Sequence, residues 1–230
     1  MAVAIRASGT YHAQSTGNYT FTTAGGDFPS GVQAGDLIMW LGLFFTAGAT
    51  FADNIGGSYT LVASQMAYRK VASGGETQLT ITTTGNHHGM VIALSGVDTT
   101  APIATSIGGS STTTSLSSFG ATAVGRTGTL LIWHTQGQST TAGANPFIGF
   151  TQGSPYTVQI RSYVGGAAGA WREGNVYWRN GTETSGTTPT TPTETISTAP
   201  ASTSRTSYLY YVQPPDPYIP PRSMLMGVGR

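Results

Sequence analysis

The sequence predicts an all-β, antiparallel sandwich, on three observations. Short runs rich in Val, Ile, Thr, Tyr and Phe recur along the chain, bounded by Gly, Pro, Asn or Ser, the pattern of strands closed by tight turns. No long stretch places apolar residues at helical spacing. Glycine supplies 32 of 230 residues, about twice the ordinary share, as many tight turns require.

The strands fall into two sets. The first lies near residues 19–23, 36–46, 59–63, 65–72, 78–83 and 89–95; the second near 128–135, 157–163, 168–172, 176–179 and 207–212. Within the second set, Gly174-Asn175 reads as the turn of a Gly-rich hairpin. Strand 36–46 places Leu37, Met39, Leu41, Leu43 and Phe45 on one face and Ile38, Trp40 and Phe44 on the other. A strand apolar on both faces is covered on both sides, by its own chain or by a neighbouring subunit. Trp40 and Trp133, on corresponding long strands, read as core.

The two sets resemble each other. Gly35-Asp36-Leu37-Ile38-Met39-Trp40 is similar to Gly128-Thr129-Leu130-Leu131-Ile132-Trp133. Tyr59-Thr60-Leu61-Val62, with Met66-Ala67-Tyr68-Arg69 after it, is similar to Tyr156-Thr157-Val158-Gln159, with Ile160-Arg161-Ser162-Tyr163 after it. The offsets are 93 residues at the Trp pair and 97 at the Tyr-Thr pair, too long for a solenoid repeat. They fit two similar halves of a sandwich spanning residues 1–212, approximately 17–104 and 119–212; chance likeness among Gly-rich strands is the alternative. Residues 105–118 and 180–204, rich in Ser and Thr, read as polar connections.

Residues 213–230 form the last unit. Five prolines in residues 213–222 exclude a sheet strand and favour an extended polyproline II arm, about 30 Å long at ~3.1 Å per residue. Its apolar and proline residues, Pro214, Pro215, Pro217, Tyr218, Ile219, Pro220, Pro221, Met224, Leu225 and Met226, make it a candidate partner-docking arm. A tail folded back on its own domain is the alternative.

Composition narrows the function. Charged residues are 8% and the net charge is +1, so no electrostatic footprint for nucleic acid is present. The absence of cysteine excludes disulfides, thiolate metal sites and a Cys nucleophile. The longest apolar run, residues 37–45, is far short of the roughly 20 residues of a membrane-spanning helix, and the first twelve residues lack the pattern of a secretory signal. No metal site and no cofactor is expected: the four histidines show no ligand spacing, and His87-His88, read as a turn, would point to opposite faces on a strand. No nucleophile elbow, P-loop or dinucleotide fingerprint occurs. Of nine carboxylates, Glu173, close to two tryptophans, is the one candidate for glycoside hydrolysis, which needs an acid pair; Asp36 and Asp98 read as turn formers. Trp171, Tyr177 and Trp178 are candidates for stacking on sugar rings, although alternation sends Tyr177 and Trp178 to opposite faces.

The order of motifs from Pro29-Ser30-Gly31-Val32-Gln33-Ala34-Gly35-Asp36-Leu37-Ile38, through Tyr59-Thr60-Leu61-Val62 and Tyr68-Arg69-Lys70-Val71-Ala72, to Ala93-Leu94-Ser95-Gly96-Val97-Asp98-Thr99-Thr100-Ala101-Pro102-Ile103 resembles a β-sandwich module common in tailed-bacteriophage virion proteins and some bacterial surface proteins. The resemblance covers roughly residues 17–213; the proline arm departs from it. It implies a jelly-roll-like fold and a non-enzymatic structural role on the capsid surface (decoration, cement or head fibre) or the tail. It further implies assembly in the host cytoplasm, release by lysis, and partners among other virion proteins. A homo-oligomer is the companion expectation, drawn from the two-faced strand and the arm. A glycan-binding module for host-surface attachment is the alternative function, and a glycoside hydrolase the third.

Overall fold

The computed structural model describes residues 2–44, 49–63, 67–111, 115–117, 121–139, 151–152, 156–165, 171–190, 193–195 and 203–217. Among these, every regular element is a β-strand, and every sheet is antiparallel. The first set comprises β1 (Ala4–Ser8), β2 (His12–Thr16), β3 (Tyr19–Thr22), β4 (Leu37–Phe44), β5 (Thr50–Asp53), β6 (Thr60–Ala63), β7 (Ala67–Val71), β8 (Gln78–Thr82) and β9 (Asn86–Ser95). The second comprises β10 (Ile103–Ser111), β11 (Ser115–Ser117), β12 (Thr129–Ser139), β13 (Thr151–Gln152), β14 (Thr157–Gly165), β15 (Trp171–Glu183), β16 (Thr193–Thr195) and β17 (Thr203–Val212).

Each set builds one large and one small sheet in the same order. The large sheets run β1-β9-β4-β7-β6, with β2 also on β9, and β10-β17-β12-β15-β14; the small ones run β3-β8-β5 and β11-β16-β13. Read along the chain, β1 and β3 to β9 correspond one for one to β10 to β17. Register agrees with order: Trp40 lies opposite Tyr68 and Val91, and Trp133 opposite Tyr177 and Leu209. Both long strands follow a glycine at positive φ, Gly35 (85°) and Gly128 (91°), a conformation open to glycine at no steric cost.

The two large sheets pack face to face. Leu37, Met39, Leu41, Met90, Ile92 and Leu94 from the first meet Leu130, Ile132, Val176, Tyr210 and Val212 from the second in one buried cluster. Behind the first sheet, Ile38, Trp40, Val91 and Ala93 pack on Phe21, Leu79 and Ile81 of the small sheet. Behind the second, Leu131, Trp133, Tyr177, Leu209 and Tyr211 form the corresponding core. The layers therefore run small, large, large, small. Alternation on β4 sends odd positions to the seam and even positions to the outer core, which is why that strand is apolar on both faces. Its cover is the chain's own second half, so the two-faced strand gives no argument for a neighbouring subunit.

Across the seam, β4 meets its counterpart β12 and also β15, while edge strand β6 lies beside β10 and edge strand β14 beside β2. Since β10 corresponds to β1, and β2 pairs with β9 on the stretch next to β1, each edge of one large sheet lies against the opposite edge of the other, as in an approximately two-fold arrangement within one chain.

Several expected elements are corrected. The strands put the first set at 4–95 and the second at 103–212, earlier than 17 and 119, because β1, β2 and β10 are Ala/Ser/Thr-rich edge strands without apolar alternation. Residues 105–118 hold β10 and β11, and 180–204 hold the end of β15, β16 and the start of β17, where polar connections were expected. His87 and His88 lie within β9, not in a turn. The hairpin at Gly174-Asn175 is absent: β15 runs unbroken from Trp171 to Glu183. Gly174 is there for close approach, since a Cβ at this position would overlap the Tyr11 hydroxyl and come within 2.9 Å of Gln136 Nε2. Gly174→Ala is expected to cost about 1–3 kcal/mol by overpacking the seam, read by chemical denaturation; an unchanged midpoint would contradict this packing.

Candidate docking site at the root of the C-terminal segment

The chain leaves β17 at Val212, and its next residues are fixed to the connection between the halves. Gln213 N donates to Pro102 O (2.9 Å), Gln213 Nε2 to Ala101 O (2.7 Å), and Asp98 N to Gln213 O (2.9 Å). Arg126 then ties three points together. Its Nη1 reaches Asp98 Oδ2 (2.5 Å) and Pro214 O (2.8 Å), while Nη2 and Nε take both oxygens of Asp216 (2.7 and 2.5 Å). This is the bidentate fork geometry in which arginine surpasses lysine.

Asp98 also accepts from Thr100 N (2.8 Å) and Ala101 N (3.1 Å). The Arg126 hydrogen bond, then these two N–H groups, hold its carboxyl below the ordinary aspartate range. Its turn-forming role is as expected; its grip on the arm was not visible in the sequence. Asp36 is likewise a turn residue, accepting from Gln33 N at 2.8 Å and pairing with Arg6.

Pro214 is buried, whereas Pro215, Asp216 and Pro217 are exposed. Together with Gly125, Thr127 and Ser185 they border a cavity of about 510 Å³. Residues 213–217 thus lie outside any strand and are held against the connection between the halves. Tyr218, Ile219, Pro220, Pro221, Met224, Leu225 and Met226 lie outside the described residues.

The aromatic trio does not form one platform. Tyr177 is fully buried, its ring stacked on Trp133 at 4.7 Å and its hydroxyl donating to Glu194 at 2.8 Å. It therefore has no face for a ligand from solvent, which corrects its candidacy. Trp178, on the opposite face of β15, is partly buried against the seam. Trp171 and Glu173 lie on β15, with side chains outside what the structure describes.

Sequence reading missed the most polar interior group. Glu194, in the middle of β16, is fully buried and pairs with Arg205, which is 1% exposed. Glu194 Oε2 accepts from Thr135 Oγ1 (2.7 Å) and Tyr177 OH (2.8 Å), with Asn175 Nδ2 at 3.5 Å. The cluster lies between two sheets with no exposed member, so its work is structural.

A second polar group lies on the seam. His134 is fully buried, hydrogen-bonded to Gln136, whose Nε2 also donates to the Tyr11 hydroxyl at 3.3 Å. The Tyr11 ring meets His88 edge-on at 5.7 Å. Burial, then the charge of His88, push the His134 pKa down to about 3. His12, stacked on Tyr19, is pushed down to about 4 by burial and then by His87, with Asp27 opposing. Among the described residues, no group of three His, Asp or Glu could hold a metal ion. No family model, no curated protein and no solved structure matches the chain.

Proposed function

We propose that the chain is a non-enzymatic structural component of a tailed-bacteriophage particle, on the capsid surface or the tail, attached through its C-terminal segment. In this reading each half is a jelly-roll-like module, and the two share the seam that separate subunits would otherwise form.

The observation that carries the reading is the root of the arm. Arg126 commits its guanidinium to Asp98, Asp216 and the Pro214 carbonyl, and in this reading the proline-rich segment leaves the sandwich from that point. A segment pinned at its base loses less conformational entropy on docking than one free along its whole length. The Ser/Thr-rich surface and the low charge suit an outer face.

Truncation after Pro217 keeps the Arg126 network and removes the remainder of the arm. The truncated protein is expected to fold with an unchanged denaturation midpoint and to lose co-sedimentation with density-purified particles. Retained binding would remove the anchor assignment. Mass spectrometry of those particles tests the wider reading: hundreds of copies indicate decoration or tail tube, a few to a few tens indicate a minor tail or fibre part, and absence rejects it.

A further inference from the structure

Lys70 is the only lysine in the chain, and the fold buries it. Its side chain on β7 is 6% exposed and sits between two fully buried carboxylates, with Nζ 2.6 Å from Asp53 Oδ2 and 3.2 Å from Glu76 Oε1. Nζ also donates to Gly56 O at 2.6 Å. Asp53 closes β5 in the small sheet, so the three groups bridge the two layers of the first half.

Three features go beyond what an ion pair needs. The two oxygens of Asp53 have different environments: Oδ1 accepts from Ile55 N (3.0 Å) and Gly56 N (2.7 Å), whereas Oδ2 faces the amine. Glu76 is held by Ser73 N (2.7 Å) and Gly74 N (2.9 Å), which fixes its carboxylate within reach of Nζ. The turn closes over the lysine stem at Gly57, where φ is 108° and a Cβ would meet Lys70 Cε at 3.0 Å.

We propose that Lys70 and Asp53 join in an intramolecular isopeptide bond, with Glu76 carrying a proton. One Nζ proton passes directly to Asp53 Oδ2, leaving a neutral amine beside a carboxylic acid. The amine lone pair attacks Cγ, and charge developing on Oδ1 falls on the Ile55 and Gly56 N–H groups, which act as an oxyanion hole. A second Nζ proton travels through Glu76 to Oδ2, the Cγ–Oδ2 bond breaks, and water departs past the exposed turn at residues 55–57. Ammonium plus carboxylate become amide plus water, and no oxidant or co-reactant is consumed. The product keeps its partners: the remaining Nζ–H faces Gly56 O, and Oδ1 keeps both N–H donors. Fixing reactants at contact distance supplies the entropic part of such a barrier. The link ties the small sheet to the large one in a chain without cysteine, and it stands independently of the virion reading.

Intact-mass measurement of the purified full-length protein tests it. The expected mass is lower than the sequence mass by one water, and proteolysis is expected to release a branched peptide joining the segments around Asp53 and Lys70. Lys70→Arg and Glu76→Gln are expected to restore the full mass. A folded wild-type protein at its full sequence mass would overturn the proposal, as would water loss with only linear peptides around Asp53. Should either variant fail to fold, the wild-type mass and its peptides remain decisive.

Discussion

Glu194→Ala is expected to destabilise the protein by about 3–5 kcal/mol, the usual cost of removing one partner of a buried ion pair. That is a large share of the 5–15 kcal/mol typical of a whole domain. The cost does not lie in the attraction between Glu194 and Arg205, which desolvation of the two ions largely offsets. It lies in what remains. Arg205, 1% exposed, would keep its charge without the Glu194 carboxylate, and the hydroxyls of Thr135 and Tyr177 would lose that acceptor, a cost that buried donors do not recover from water. Glu194→Leu combined with Arg205→Leu is expected to recover most of the loss, because an apolar pair of similar volume avoids both desolvation terms. The first half shows this alternative in the corresponding small sheet, where β8 buries Leu79 and Ile81. Equilibrium denaturation of the two single variants and the double variant decides the matter. Additive single-variant losses, or a cost below about 1 kcal/mol for Glu194→Ala, would contradict a tightly coupled buried pair.

Sequence legibility follows from where each residue is buried. Strand β4 was legible because its two faces enter two different cores, leaving a continuous apolar run. The Trp40–Trp133 and Tyr59–Tyr156 likenesses were legible because β4 corresponds to β12 and β6 to β14. The next correspondence was not: Leu61 pairs with Tyr68 seven residues on, whereas Val158 pairs with Tyr177 nineteen residues on. The second half is longer between these strands, so the residue matching Tyr68 is Tyr177 and not one among 160–163. β16 escaped notice because its one inward side chain is a glutamate between threonines, a pattern that local chemistry reads as loop. Only the long-range partner, Arg205, makes that position tenable, and composition cannot show it. The three members of the Lys70 group were visible as residues, but their meeting depends on β5 and β7 being brought together across two sheets.

Acidification is the second large effect expected, and it acts on the seam. In the unfolded chain a histidine titrates near 6.5; in the folded protein burial and His88 hold His134 neutral down to about 3. Above pH ~6.5 the residue is neutral in both states and contributes no pH dependence. Below it, the unfolded chain takes up a proton that the folded protein refuses, so stability falls as pH drops, and continues to fall until about 3. At pH 4 the His134 contribution is a loss of about 3 kcal/mol. His12, held near 4, and His87, lowered by burial, act in the same direction. Asp98 and Glu76 carry lowered pKa values, so their stabilisation disappears only as pH falls through the carboxylate range, below the onset of the histidine loss. The location is specific. His134 lies on β12, with His88 of β9 in the other half acting on it, so protonating His134 places a positive charge in the interior that joins the halves. Hydrogen exchange between pH 7 and 4 should therefore show protection falling in β9 and β12. The denaturation midpoint should decline across the same interval, and His134→Gln should flatten that decline. A midpoint constant from pH 6.5 to 4 would mean that His134 is not held neutral by the seam, and that the two halves meet differently from the packing described.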